Sequence, residues 1–274
     1  MIDPFDFKEP SCVLCGGKEF YNPDKNDAKG RIPVKRIIEK VDESFSKNDY
    51  AEASRLLVYW KNEAIELSDK EGELAIDNEL VGFYRKQNDI DNGLKNIERT
   101  LFLIDRLKIG DMLSTATIFL NIGTAYKVYK KFDLSVLYFE KALDIYNKHL
   151  DKNDKMFAGL YNNYALTLED LEKYDQAENY YKTAINILSN YKDCKLDTAI
   201  SYINLSHLLD RTGRKSETVD LLYNAYQLLT DESIEENGYT AFVYEKCYPS
   251  FSYFGYEIIA KELKEKSEKI YERN

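Results

Sequence analysis

Three stretches of this chain repeat one another at nearly constant spacing, and that self-similarity limits the fold more than any other feature of the sequence. NIGTAYKVYKKFDLSVLYFEKALDIY begins at Asn121, NYALTLEDLEKYDQAENYYKTAINIL at Asn163 and NLSHLLDRTGRKSETVDLLYNAYQLL at Asn204, offsets of 42 and 41 residues. A weaker copy, ELVGFYRKQNDIDNGLKNIERTLFLI, begins at Glu79, and a fainter one surrounds NDYAEASRLLVYWKNEAIEL from Asn48. Each copy holds two helices' worth of periodic apolar residues. A helix pair of that size cannot bury its own apolar faces, so the copies must stack.

The register inside each copy assigns packing tasks. A small or β-branched residue comes first (Val81, Gly123, Ala165, Ser206), and a large one follows three residues later (Tyr84, Tyr126, Leu168, Leu209). On the second helix Ile97, Phe139, Tyr181 and Leu222 are each followed by Thr100, Ala142, Ala184 and Ala225. Residues three apart share a helical face, so each such step sets a bulky knob beside a small hole. Turns are expected at Gln87-Asn88-Asp89, Lys131-Phe132-Asp133, Lys173-Tyr174-Asp175 and Thr212-Gly213-Arg214. Asp49 with Glu52, and Asp175 with Glu178, have the spacing of capping boxes.

These residues resemble tetratricopeptide repeats. The small-x-x-large step, the aromatic just before the second helix (Tyr50, Phe132, Tyr174), Ala53 and Ala177, and the late aromatic-x-x-Ala step carry the likeness over residues 34 to 230. Gly93, Ser135 and Thr218 replace that alanine in other copies, and the family's usual late proline is missing. The period is similar to the long repeats of kinesin light chains and of some bacterial peptide-sensing regulators. The resemblance implies an all-α, right-handed α-solenoid of about five stacked helix-turn-helix repeats, near 34–68, 74–107, 116–149, 158–190 and 199–230. Residues 1–32 would form an N-terminal extension, 33–230 one array, and 239–274 capping helices with an interruption at Pro249. It also implies a protein- or peptide-binding scaffold whose first helices line a concave face.

Composition narrows the function classes. With 38 basic and 48 acidic residues the net charge is −10, which disfavours a phosphate backbone as partner. The opening residues lack a basic stretch followed by an apolar one, and no stretch approaches the roughly 20 apolar residues of a membrane helix. A cytoplasmic protein is expected. Four cysteines are too few to staple 274 residues, which fits a reducing compartment.

On the implied concave face, Asn121, Asn163 and Asn204 fall in one register, with Glu79 as the counterpart in the weaker copy and Asn78 and Asn162 adjacent. An amide side chain both donates and accepts, so a ladder of amides can hold an extended peptide backbone. The same amides could instead bond the neighbouring repeat and fix the stacking, and both roles can coexist. Further along these helices Arg85, Lys127, Glu169 and Asp210 give the groove mixed charge, and His207 lines it or packs beside it.

Cys12 and Cys15, followed by Gly16 and Gly17, resemble half of a zinc ribbon. Four ligands are needed, no second CxxC exists, and Cys247 is the candidate third ligand. Zinc binding, a redox-responsive dithiol and a plain reduced pair all remain open readings. Eight aromatic residues between Tyr239 and Tyr256 either seal the last apolar face or form a surface for a second copy or another partner. His149 and His207 lie 58 residues apart, and no phosphate-binding glycine motif occurs. No enzyme active site is read in the chain.

Overall fold

A computed structural model describes residues 30–46 and 49–273. Among the described residues the chain forms twelve α-helices and two short 3₁₀ turns, with no strand. The helices are α1 (Val34–Ser46), α2 (Tyr50–Glu66), α3 (Lys70–Gln87), α4 (Ile90–Leu107), α5 (Leu113–Val128), α6 (Phe132–His149), α7 (Lys155–Asp170), α8 (Tyr174–Leu188), α9 (Lys195–Arg211), α10 (Thr218–Leu229), α11 (Gly238–Tyr253) and α12 (Glu257–Arg273). None is long and apolar enough to cross a membrane. The fold is an all-α helical repeat, and its described residues gather into two compact units, 30–150 and 151–273.

In each unit consecutive helices pair, and each pair packs on the next. The knob-and-hole register read from the sequence is the one observed in both. In the first unit Val81, Ile97, Thr100, Phe139 and Ala142 are fully buried. Gly123 leaves room for the Phe139 ring, since a Cβ on Gly123 would lie 2.8 Å from two of its carbons. Gly93 stands where a Cβ would meet the Tyr129 hydroxyl at 2.0 Å. In the second unit Ala165, Tyr181, Ala184, Ser206, Leu222 and Ala225 fill the same roles.

The turn inside each of five pairs closes in one way. Asn88, Lys130, Glu172, Gly213 and Gly255 all have positive φ, between 53° and 87°. The next residue's N–H then reaches back to the carbonyl of Tyr84, Tyr126, Leu168, Leu209 or Phe251, at 2.8 to 2.9 Å. This six-to-one closure satisfies carbonyls that a helix end otherwise leaves orphaned. Left-handed backbone disfavours a residue with a Cβ by roughly 1 kcal/mol. A Cβ on Gly213 would enter open space, so Gly213→Ala tests that conformational cost alone. It should lower stability by about 1 kcal/mol in urea unfolding; no loss would mean the turn relaxes.

Three local expectations are corrected. Pro249 does not interrupt: α11 runs through it, because the Glu245 carbonyl it leaves without a helical donor lies on the exposed face, where water can replace the bond. Asp175 is not a cap: α8 already begins at Tyr174, with Lys173 at the cap position and no side-chain cap bond, while Glu178 pairs with Arg214 and Lys182. Four first helices, α3, α5, α7 and α9, also open three or four residues ahead of the expected repeat bounds, whereas α1 opens at the expected 34. Asp69 and Asp154 fix those starts by accepting from Gly72 N–H at 3.1 Å and Met156 N–H at 2.9 Å. Asp49 does cap α2, accepting from Glu52 N–H at 2.9 Å.

The chain from 30 is anchored at the same cap: Ile32 N–H donates to Asp69 Oδ2 at 3.0 Å, and Arg31 pairs with Glu71 at 2.6 Å. In the second unit the C-terminal aromatics act mainly as core. Tyr244 and Phe251 are buried, Tyr239, Phe242, Tyr248, Phe254 and Tyr256 pack against the same cluster, and Tyr253 is exposed.

Candidate functional site

The first helices of the pairs carry the residues expected to contact a ligand, and within each unit they lie side by side. In the first unit Asn121 Nδ2 on α5 donates to Asn78 Oδ1 on α3 at 3.0 Å. Both are buried, and Asn121 Oδ1 has no bonding partner. Glu79 and Lys127 are half-buried, whereas Arg85 is buried. In the second unit Asn162 Nδ2 on α7 donates to Ala158 O and to Ser201 Oγ on α9, both at 2.9 Å. Asn163 Nδ2 turns back to Gly159 O on its own helix at 2.9 Å. Asn204 is only 2% exposed, with neither amide atom bonded.

The amide row is therefore a floor between helices. Three of these asparagines, Asn78, Asn121 and Asn162, already bond the neighbouring pair, as the stacking role requires. A buried amide that left its bonds unmade would cost about 1–3 kcal/mol.

The charged positions are also engaged. Glu169 accepts from Tyr181 O–H at 2.7 Å and pairs with Arg211 at 3.5 Å. Asp210 accepts from Tyr253 O–H at 2.7 Å. His207 Nε2 lies 3.0 Å from Ser250 Oγ. That contact has the outline of a nucleophile and its base, but Ser250 is buried, and burial pulls the imidazole down to about 4, leaving a poor base.

One cluster escaped the sequence reading. Lys61 on α2 pairs with Asp77 on α3 at 2.6 Å and donates to Asn96 Oδ1 on α4 at 2.9 Å. Asn96 Nδ2 donates to the Asp77 carbonyl at 2.6 Å, and Arg99 grips Glu73 through two bonds of 2.6 and 2.9 Å. Burial raises the Asp77 carboxyl to about 6, against the pull of Lys61. The four-residue step from Glu73 to Asp77 and the three-residue step from Asn96 to Arg99 were visible. They belong to one copy only, so comparing copies hid them.

Cys12 and Cys15 lie outside the described residues. Cys247, the candidate third ligand, is buried in the apolar core of the second unit, which holds its thiol well above the ordinary range and away from the thiolate a metal requires. Among the described residues no group of three or more His, Cys, Asp or Glu side chains is placed to hold a metal ion.

No curated protein sequence matches the chain significantly. Nearly identical TPR-like repeats assigned to a kinesin light chain of Podosopora anserina superimpose with a TM-score of 0.52 at 15% identity, covering 71% of this chain and 92% of that one. The structure of Pseudomonas aeruginosa pilF gives 0.50 at 12% identity, covering 84% and 88%. At such identities the likeness concerns fold alone. Residues 156–231, the span of α7 through α10, match the tetratricopeptide repeat family, and the chain has the all-α helical-repeat fold of proteins built from such units.

Proposed function

We propose that this protein is a non-enzymatic scaffold, acting in the cytoplasm, that binds a protein or peptide on the surface formed by its first helices. The observation that carries the reading is the side-by-side placement of neighbouring first helices within each unit, linked by the Asn78–Asn121 bond in the first and the Asn162–Ser201 bond in the second. The buried amides Asn78 and Asn121 line the first helices of the first unit, and Asn162, Asn163 and Asn204 those of the second. Glu79 and Lys127 are half-buried on the same helices of the first unit and carry opposite charges. Of the other residues expected in the groove, Arg85 is buried and His207 packs against Tyr253 and Phe254. Opposite charges beside buried amides favour a partner with a main chain to hydrogen-bond and alternating charge, rather than a nucleic acid.

Selection from a displayed peptide library tests this. Glu79→Lys and Lys127→Glu should each weaken the selected peptides at least tenfold while the melting temperature stays unchanged. Failure to select any peptide, or unaltered binding by both variants, would refute the groove. The metal- or redox-responsive reading of Cys12 and Cys15 rests on their spacing alone. Elemental analysis decides its zinc form: less than a tenth of an equivalent of zinc in purified protein would remove it.

A further inference from the structure

The last helix pair is tied to its neighbour by a row of polar contacts along one helix junction. Tyr239 O–H donates to Asp197 near the start of both helices. His207 Nε2 meets Ser250 Oγ at 3.0 Å beyond the middle, and Tyr253 O–H donates to Asp210 Oδ2 at 2.7 Å near the end. All three join α9 to α11. Beneath this row Ala199, Ile200 and Ile203 of α9, with Leu222, Ala225 and Leu229 of α10, share one apolar cluster with Ala241, Val243, Tyr244 and Phe251 of α11. The apolar layer is indifferent to pH, but one member of the polar row is not.

The His207 ring is half-buried at this junction. Its centroid lies 5.2 Å from that of Tyr253 and 4.9 Å from that of Phe254, and its Nε2 faces the buried Ser250 hydroxyl. Burial there favours the neutral imidazole, because a cation would lose part of its hydration. The charged and titratable groups around it are Asp210, which favours the cation, Arg211, which opposes it, and Tyr253, whose hydroxyl is bonded to Asp210. A protonated ring would compete with Tyr253 for Asp210 and so work against a second contact in the row.

We propose that the α9–α11 junction is an acid-sensitive latch, in which protonation of His207 releases the α11–α12 pair and uncovers the apolar seat on α9 and α10. The docked ring holds its proton only near pH 4, against the ordinary 6.5 of a solvated histidine. Between those values the released state binds more protons than the docked one. Docking is therefore complete above pH 6.5 and weakens by up to tenfold for each unit of acidification toward 4.

Hydrogen exchange of the full chain at pH 7.5, 6.0 and 5.0, corrected for intrinsic chemistry and followed by peptide mass spectrometry, reads this directly. Peptides of α11 and α12 should open about tenfold more often at pH 5.0 than at 6.0, while those of α7 and α8 change far less. His207→Gln, a neutral side chain able to bond Ser250, should make the profile flat. If that variant is already open at pH 7.5, the same reading is taken from His207→Phe, which keeps the ring contacts. Unchanged protection of α11 and α12 in the wild type, an equal loss in α7 and α8, or the same pH slope in the variants would overturn the latch.

Discussion

Phe139→Ala should lower the stability of the protein by about 3–5 kcal/mol, the usual cost of deleting a fully buried aromatic ring that its surroundings cannot collapse to fill. Phe139 is wholly inaccessible in the first unit, with the Gly123 Cα against its face. The reverse change tests the same seam. Gly123→Ala puts a Cβ 2.8 Å from two ring carbons and 3.2 Å from a third, and such overpacking should cost about 1–3 kcal/mol because the ring has no space to retreat into. The two sites are coupled by this contact, so Gly123→Ala combined with Phe139→Leu should lose less than the sum of the single changes, by roughly 0.5 kcal/mol or more. Urea unfolding of the wild type, Gly123→Ala, Phe139→Leu and the double variant gives the cycle. Strict additivity would show that helix pairing at this point does not depend on glycine and ring fitting together.

That seam was legible in the sequence because it depends on periodicity. A small residue, a large one three positions later, and their return at about forty-residue intervals are properties of the chain alone, and Gly123, Ala165, Phe139 and Tyr181 sit where such a pattern demands. The asparagines share that register, yet their burial was not visible. A helical period assigns a face to a residue and leaves open what lies against it, so Asn121 could be placed beside its counterparts without revealing that Asn78 would take its amide. The Asp175 cap failed for a related reason. Capping-box spacing is local, and a start at Tyr174 carries Asp175 into the first turn and leaves Glu178 to Arg214, 36 residues away. The Lys61–Asp77 cluster was hidden most completely, since charged residues on a helix are ordinarily read as its solvated face.

Lys61→Met gives the sharpest test of that cluster, because its effect should depend on pH in a way that packing loss cannot imitate. At pH 8 the variant should be less stable than wild type by about 3 kcal/mol, the cost of leaving a buried carboxylate without its partner. Asp77 is fully inaccessible, so with Lys61 gone its ionised form keeps only the weaker pull of Arg99 and the repulsion of Glu73. The sign follows from the direction of the shift. In the wild type the folded carboxyl sits near 6, above its unfolded value of 3.8, so this group stabilises the fold least above pH 6 and is relieved as acid protonates it, fully by about pH 4. Without Lys61 the folded value must rise further, and the gap between variant and wild type should shrink steadily from pH 8 to pH 5. Comparing the proteins at each pH cancels the opposite contribution of His207, which acts in the same acid window in the other unit. Adding Asp77→Asn should bring stability back to within about 1 kcal/mol of wild type at pH 8 and remove Asp77's share of the variant's own pH dependence, since a neutral amide needs no counter-charge. A gap that stays constant from pH 8 to pH 5 would mean that Asp77 is not the charge Lys61 holds, and that Lys61 contributes there by packing and hydrogen bonding rather than by charge.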